Sequence, residues 1–297
     1  MTTFRILKDK TAATIMFALT MTALLLVVAM GIGLFLKSAP IFENHSLSEL
    51  LFSSNWRPLR GEFGFLPFLM GTLYVTAIGI TLALPVSLLT AIFLTEYGGR
   101  KVKKYVFPAL DILAGLPSVI YGVWGTLLIV PWISEKIAPN FVAFSTGYTV
   151  LAGGLVLGVM ILPLLTSLFI ELFSSVSMEL RESSMSLGAT KWQTTKKVVL
   201  RKTFPGILAA VILAVSRAFG ETIAVLMVCG NLPQIPGSLF DAAYPLPALI
   251  ANNYGEMLSL PLYEAALMFA ALILFVVILL FNLVSRAVLY RIEKKFS

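Results

Sequence analysis

Cysteine, histidine and charged side chains are all scarce in this chain of 297 residues. The single cysteine, Cys229, excludes a disulfide framework and a thiolate-rich metal site, and the single histidine, His45, excludes a histidine-clustered metal centre. Charged residues make up only 12% of the chain, against roughly 25% in a soluble domain. We therefore expect no metal site, no cofactor bound by this chain and no water-soluble fold.

Hydrophobic residues are correspondingly abundant, at 58% of the chain, and the mean hydropathy is +0.93. A helix needs about 20 apolar residues to cross a bilayer, and six runs of this kind carry no charge or almost none. They lie within residues 11–36, 63–95, 112–134, 137–170, 204–228 and 265–285. The sequence thus predicts an all-α integral membrane protein with six transmembrane helices, the fifth of which is interrupted by Arg217 and Glu221.

Lysine and arginine are unequally divided between the predicted loops. Seventeen of the 22 basic residues fall in the amino tail, the second and fourth loops and the carboxyl tail, and four fall on the opposite side. Because cytoplasmic loops carry the excess of basic residues, both termini are expected in the cytoplasm. This topology also explains the net charge of +7, so membrane lipid is an expected partner and nucleic acid is not.

The fourth loop has the sequence signals of two short helices joined by a turn. Residues 178–187 are good helix formers, and Gly188 after them suits a left-handed helix end. Thr190, with Gln193 three residues later, predicts a capping box that starts the second helix. Pro205 is expected in the first turn of the fifth membrane helix. The alternative for this loop is an amphipathic helix that lies on the lipid headgroups.

Arg217 and Glu221 place two opposite charges inside an apolar run. Arg217 follows Pro205 by 12 residues, which is about 18 Å into a hydrocarbon layer about 30 Å thick. Burying both charges costs on the order of 5–7 kcal/mol, whereas an i,i+4 ion pair returns only about 0.2–0.5 kcal/mol. We therefore expect the two side chains to face a polar route for an anion, or alternatively to clamp neighbouring helices, rather than to face lipid.

The pair has a chemistry that favours one class of anion. A guanidinium is a planar fork that suits tetrahedral oxyanions. A neighbouring carboxylate repels a fully ionised anion but accepts a hydrogen bond from an anion that carries a proton. Phosphate carries a proton at neutral pH and sulfate does not, so the arrangement predicts a preference for phosphate.

Six residues of the fourth loop carry a family resemblance: Glu182, Ser183, Ser184, Gly188, Val198 and Leu200. They resemble the cytoplasmic EAA loop of bacterial ABC importer permeases, in which a short helix inserts into a groove on the ATPase subunit. This chain has serines where that family often has alanines, and Arg201 where a proline is usual. The resemblance implies that Glu182, Ser183, Ser184 and Gly188 couple this chain to an ATPase.

Residues 217–222, with the sequence RAFGET, resemble the signature of phosphate-specific ABC permeases. Further segments that look like the PstC-type subunits of that family are residues 56–58, 64–67, 71–72, 113–122 and 160–163. The resemblance extends from about residue 55 to the sixth membrane helix. It implies that Arg217, Glu221 and Thr222 line the substrate pathway.

The resemblance also implies an architecture, a type I ABC importer permease fold of the MetI-like kind. Residues 1–66 then form the amino tail, first transmembrane helix and outer loop. Residues 67–290 form the transmembrane core, with a cytoplasmic coupling loop at 171–205. Residues 291–297 form a basic carboxyl tail.

The implied function is that of a permease subunit, half of the pathway of an ATP-driven phosphate importer in the bacterial cytoplasmic (inner) membrane. The implied partners are a PstA-type second permease, two copies of an ATPase subunit and an external phosphate-binding protein. No G-x-x-x-x-G-K-[ST] loop occurs in the sequence, so ATP-Mg is expected on the ATPase and this chain is not expected to be an enzyme. The alternatives are an importer of another oxyanion, the PstA-type half, and an ion-driven secondary carrier.

Asp111 and Ser118 are weaker candidates for a gating role. Asp111 follows Pro108 closely, so it is predicted in the first turns of a helix, where the helix dipole and nearby lysines favour a carboxylate; gating is the alternative. Ser118 follows Pro117, where we expect a break in the third span that lines a pore. Simple packing of small residues is the alternative for that segment.

Overall fold

A computed structural model describes residues 2–255 and 261–296, with side chains described for residues 9–255, 261–288 and Tyr290. In these residues the helices are α1 (Thr2–Ser38), α2 (Leu47–Phe52), α3 (Leu66–Ile92), α4 (Arg100–Gly115), α5 (Ser118–Trp124), α6 (Val130–Trp132), α7 (Val150–Ser174), α8 (Met178–Ser186), α9 (Lys191–Thr194), α10 (Leu200–Phe219), α11 (Ile223–Val228), α12 (Leu246–Asn253) and α13 (Pro261–Phe296). Strands β1 (Trp56–Arg57) and β2 (Glu62–Phe63) form one antiparallel hairpin. The side chains of the predicted basic tail, 291–297, lie outside the described ones.

Within the described residues, six helical stretches are long and apolar enough to cross a membrane. They are Asp9–Glu43, Leu66–Tyr97, Ser118–Asn140, Val150–Ser174, Lys191–Phe219 and Pro261–Val288. The prediction of six transmembrane helices is therefore confirmed. An even number of crossings places both ends of the chain on the same side of the bilayer.

The third span begins later than its charge-free run. Helix α4 ends at Gly115, and α5 begins only at Ser118, after extended backbone at Leu116 and Pro117. Proline disfavours helical backbone in the residue before it, which explains the break. Asp111 consequently lies exposed near the carboxyl end of α4, where the dipole disfavours a carboxylate. Its predicted place in the first turns of a helix is wrong.

The fifth span begins earlier than predicted. Helix α9 passes through a π-helical turn at Thr195–Val199 directly into α10, so Pro205 lies inside a continuous helix rather than in its first turn. A proline removes one helical hydrogen bond. Packing of α10 against α3, α7 and α13 outweighs this loss. The helix then stops at Phe219, and α11 starts at Ile223.

Helices α3 and α7 form the most extensive helix–helix contact of the bundle. Glycines bring the two backbones close: a Cβ on Gly79 would lie 3.2 Å from Leu157 Cγ, and one on Gly158 would lie 3.1 Å from the Gly79 carbonyl oxygen. The Ser87 hydroxyl donates a hydrogen bond of 3.1 Å to the carbonyl of Leu162. Contacts this close make α3 and α7 a rigid pair.

An aromatic cluster closes the outer end of the bundle. Trp56 of the hairpin makes edge-to-face contacts with Phe63, Phe65 and Phe68, with ring centroids 4.8–5.7 Å apart, and it also meets Tyr263 of α13. These rings bury most of their surface, and such pairs add about 0.5–1.5 kcal/mol each beyond burial. The cluster therefore anchors the first outer loop to α3 and α13.

The second outer segment is anchored by the start of α7 and the end of α11. The backbone N–H of Ala243 donates to the Cys229 carbonyl at 2.8 Å, and that of Val150 at the start of α7 donates to the Asp241 carbonyl at 2.9 Å. Residues 243–249 are buried, whereas residues 232–235 and 237–239 are exposed. The root of this segment is thus part of the bundle, and only its tip faces outward.

The buried hydroxyl of Thr72 holds the start of α12, and its removal tests this anchor. It accepts a hydrogen bond of 2.8 Å from the N–H of Leu246 and donates to the carbonyl of Phe68. Thr72→Val keeps the shape but leaves the Leu246 N–H unpaired, so we expect a loss of about 1–3 kcal/mol in unfolding free energy, seen as a lower melting temperature in detergent. Thr81→Val is the matched control, because exposed Thr81 bonds only the Ala77 carbonyl in the same helix. Equal melting temperatures for the two variants would contradict the assignment.

Candidate functional site

Arg217, Glu221 and Thr222 lie together at the break between α10 and α11. Arg217 is in the last turn of α10, and the other two residues are in the break itself. Glu221 Oε1 accepts a hydrogen bond of 3.3 Å from the N–H of Ala224, and Thr222 Oγ1 donates to the Gly220 carbonyl at 3.2 Å. Glu221 therefore caps the first turn of α11, and its second carboxylate oxygen has no hydrogen bond to the residues that the structure describes. Irregular backbone inside a membrane is tolerated where it lines protein or water.

The two charges of the site are not paired with each other. Among the described residues, no ion pair within 4.0 Å joins Arg217 to Glu221 or to another acid. The helix ends between them, so they are not one turn apart on a single helix as predicted, and neither of them forms an ion pair with another helix in the part of the chain that the structure describes. Arg217 is exposed on the surface of this chain, and Glu221 is half-buried. The Arg217 guanidinium is therefore accessible from outside this chain.

Two short helices, α5 and α11, pack in parallel beside the break. A Cβ on Gly122 would lie 3.3 Å from Ala224 Cα, and one on Gly125 would lie 2.9 Å from Val228 Cγ1, so the helices touch at successive turns in the same order. Their amino ends therefore point the same way. This packing places Ser118, at the start of α5, at the same end of the pair as the break before α11. The predicted break beside Ser118 is confirmed.

A basic groove leads along α10 toward Arg217. It is a cavity of about 1300 Å³ between the fourth loop, α7 and α10. Its basic lining residues, Lys197, Arg201 and Lys202, lie at the loop end together with the acidic Glu171 of α7, and the rest of its lining is mostly apolar, including Gly206, Ala210 and Leu213 along α10. Arg217 lies four residues beyond Leu213 and hence on the same face of α10, one turn further along. This groove, called the basic groove after its loop end, thus runs from the fourth loop to within one helical turn of Arg217.

The fourth loop has the turn geometry that its sequence predicts. Helix α8 is followed by Gly188 with φ +84°, in the left-handed region that favours glycine, and the Gly188 N–H donates to the Met185 carbonyl at 2.9 Å. The capping box is also present: the Thr190 N–H donates to Gln193 Oε1 at 2.8 Å, and the Gln193 N–H donates to Thr190 Oγ1 at 3.3 Å. Both predictions about this loop are confirmed.

Helix α8 presents most of its surface outward. None of its residues is buried; Glu182 and Ser183 are exposed, whereas Ser184 is half-buried with its Oγ 3.0 Å from Thr194 Oγ1. Leu187, which follows the helix, is 90% exposed. A short helix with no buried face and an exposed leucine at its end has the character of a surface that a partner covers. Ser184 instead holds α8 to α9.

The family of this chain follows from comparison with known proteins. Residues 83–297 match the family model described as "Binding-protein-dependent transport system inner membrane component". The chain belongs to this family. The match and the six apolar helices confirm a multi-pass inner membrane protein that is a transport permease subunit.

Two curated relatives of this permease cover most of its length. A "Probable ABC transporter permease protein YqgH" of Bacillus subtilis is 39% identical over 87% of this chain and 84% of its own. A "Phosphate transport system permease protein PstC" of Mesorhizobium japonicum is 36% identical over 92% of this chain and 88% of its own. The predicted resemblance to PstC-type permeases is confirmed.

A solved structure shares the fold of this permease. It is a chain of a bacterial alginate ABC transporter in complex with an alginate pentasaccharide-bound periplasmic protein, 16% identical, with a TM-score of 0.61 over 97% of this chain and 98% of that chain. The likeness concerns the fold alone. It confirms the predicted type I ABC importer permease fold.

Sequence analysis of the permease missed one contact of the fourth loop. Arg181 of α8 forms an ion pair of 2.9 Å with Glu96, in the π-helical turn that ends α3. The sequence indicated only that Arg181 is one of the basic residues of the fourth loop, and it indicated no role for Glu96. The two residues are 85 positions apart, and no motif or spacing links them, so only the fold brings them together.

Proposed function

We propose that this permease forms half of the translocation pathway of an ATP-driven importer of inorganic phosphate. The observation that carries the proposal is the placement of Arg217: a guanidinium without an acidic partner among the described residues, on an open helix face, one turn beyond a basic groove. Relatives that cover most of the chain are named as phosphate transport permeases, which supports the choice of solute.

The proposed importer contains three further kinds of subunit. A PstA-type second permease covers the face that bears Arg217 and the groove, and two ATPase subunits bind beneath the pair. An external phosphate-binding protein delivers the solute. ATP-Mg binds to the ATPase, and this chain holds no cofactor of its own.

The residues of this chain have separate roles in the proposal. Glu182, Ser183 and the turn at Gly188 contact the ATPase, and Ser184 keeps α8 in place against α9. ATP binding displaces α8, and rigid-body rocking of the helices exposes Arg217 to one side of the membrane and then to the other.

Phosphate recognition follows from the chemistry of the break. Arg217 binds two phosphate oxygens through its planar fork. The second carboxylate oxygen of Glu221 accepts a hydrogen bond from the phosphate O–H, while Oε1 stays bonded to the Ala224 N–H. Thr222 and Ser118 line the route at the same end of the α5–α11 pair. Asp111 remains a gating candidate on the exposed end of α4.

Solute selectivity tests this role of Glu221. In Glu221→Gln the amide oxygen still accepts from the Ala224 N–H, so α11 keeps its first turn, but the repulsion of an anion that carries no proton, such as sulfate, is lost. We expect the ratio of phosphate to sulfate uptake to fall about tenfold, because an unfavourable like-charge contact has been removed. The measurement is isotope uptake by the complete complex in proteoliposomes.

The matched control is Glu135→Gln, which neutralises an exposed acid at the outer end of the third span. The ratio should stay at the parent value in that variant. An unchanged ratio in Glu221→Gln would remove Glu221 from anion selection. Uptake by this chain alone, driven by a proton gradient without ATP, would favour the secondary carrier instead.

A further inference from the structure

One polar side chain attaches α8 to the membrane helices. Of the nine residues in α8, Arg181 and Ser184 are the two that are half-buried, while Leu180 and Met185 are about 40% exposed and Leu180 lines the basic groove. Ser184 contacts Thr194, inside the same loop. Arg181 instead reaches the ends of two membrane helices. The position of α8 relative to the bundle therefore depends strongly on Arg181.

The guanidinium of Arg181 has three hydrogen bonds in a largely buried place. Its Nη2 donates to Glu96 Oε1 at 2.9 Å and to the Phe173 carbonyl at 2.7 Å, and its Nη1 donates to the Val176 carbonyl at 2.8 Å. The Arg181 side chain is 15% exposed and that of Glu96 is 7% exposed. Hydrogen bonds between charged groups away from water are short, strong and directional.

These contacts join three elements at one point. Glu96 is in the π-helical turn that follows α3, Phe173 is in the last turn of α7, and Arg181 is in α8. A second contact supports the junction, because the Lys191 ammonium lies 4.9 Å from the centre of the Tyr97 ring. A displacement of α8 is thus applied to the cytoplasmic ends of α3 and α7 together.

The same two helices hold the outer segment at their other ends. Thr72 of α3 binds the N–H of Leu246, and the N–H of Val150 in α7 binds the carbonyl of Asp241. Because α3 and α7 are closely packed along their length, an unbroken series of contacts runs from Arg181 across the membrane to residues 239–246. Arg181 and this outer segment are therefore joined by one continuous set of contacts.

We propose that Arg181 is a positioning residue that couples α8 to the α3–α7 pair, so that its loss separates ATP hydrolysis from solute movement. The inference rests on the proposed function, because it requires α8 to bind an ATPase. Lysine cannot replace the guanidinium fully, since one ammonium does not match acceptors on three sides with the fixed geometry of the fork. If Arg181 only stabilised the structure, its loss would instead lower uptake and ATP hydrolysis together, because fewer complexes would assemble.

The first test measures phosphate moved per ATP hydrolysed by the complete complex in proteoliposomes. In Arg181→Gln we expect this ratio to fall about tenfold while the ATPase rate per assembled complex stays close to the parent rate. Arg181→Lys, which keeps the charge opposite Glu96, is expected to give an intermediate ratio. Lys196→Gln is the matched control, because it removes one exposed positive charge from the same loop. A parent-like ratio in assembled Arg181→Gln complex would overturn the inference.

The second test does not depend on the solute. Spin labels at Leu59 and Ile235, both exposed on the outer face, report the distance between the two outer loops. In the parent complex, trapping the ATPase with nucleotide and vanadate is expected to change this distance, and Arg181→Gln is expected to abolish the change. A parent complex that shows the distance change but no phosphate uptake would refute the proposed solute and leave the coupling role supported. The same distance change in Arg181→Gln as in the parent would refute the coupling role.

Discussion

Arg217→Gln is expected to reduce ATP-driven phosphate uptake at least about 100-fold. Each hydrogen bond to a charged group is worth about 1.5–3 kcal/mol, so losing a bidentate contact costs about 3–6 kcal/mol, and every 1.4 kcal/mol is a factor of ten. Glutamine is uncharged and offers no fork, although it stays polar at the end of α10. Uptake of labelled phosphate by the assembled complex, normalised to the amount of permease in the membrane, is the measurement.

Two further variants separate the charge of Arg217 from its shape. Arg217→Lys retains the positive charge without the planar fork, and we expect an intermediate loss of uptake. Arg100→Gln, which neutralises an exposed arginine at the start of α4, is the matched control and should leave uptake close to the parent level. Near-normal uptake in Arg217→Gln would show that the anion does not pass this side chain.

Gly188→Asp is expected to abolish uptake while the permease still reaches the membrane. The left-handed backbone at φ +84° costs a residue with a Cβ about 1–2 kcal/mol, and aspartate tolerates it better than most. The larger effect on uptake comes from the position of the new side chain. A Cβ at Gly188 would have no atom of this chain within 4 Å, so the carboxylate would lie on the surface beside the exposed Leu187. It would enter the interface with the ATPase as an unpaired charge.

The measurements for Gly188→Asp are uptake and co-purification of the ATPase, each normalised to permease in the membrane. Gly188→Asn tolerates the same backbone without a charge, so it should retain most of both. Gly99→Asp adds a carboxylate to another exposed cytoplasmic glycine with ordinary backbone, and it should behave as the parent. Full uptake in Gly188→Asp would mean that the ATPase does not bind at this turn.

Local sequence signals predicted the features that depend on a few neighbouring residues. Gly188 and the Thr190–Gln193 capping box are such features, because turn and cap geometry is decided within one helical turn. The number of spans was also predictable, since the cost of placing charge in lipid acts on each run of about 20 residues separately.

Features that depend on packing between distant segments were not predictable. The fifth span starts at Lys191 although Pro205 suggested a later start, because contacts with three other helices outweigh one lost hydrogen bond. Arg217 and Glu221 were expected one turn apart on a single helix, and this prediction was wrong because the helix stops between them. The Arg181–Glu96 pair leaves no trace in the sequence pattern at all.

The central claim is that Arg217 faces an aqueous route for phosphate between two permease subunits. A density map of the complete complex in lipid nanodiscs, trapped in the presence of phosphate, tests it most directly. We predict that the guanidinium and the Glu221 carboxylate line a water-filled passage continuous with the basic groove, with anion density within hydrogen-bonding distance of Arg217. Lipid acyl chains against Arg217, or a dry helix interface around it, would contradict the account.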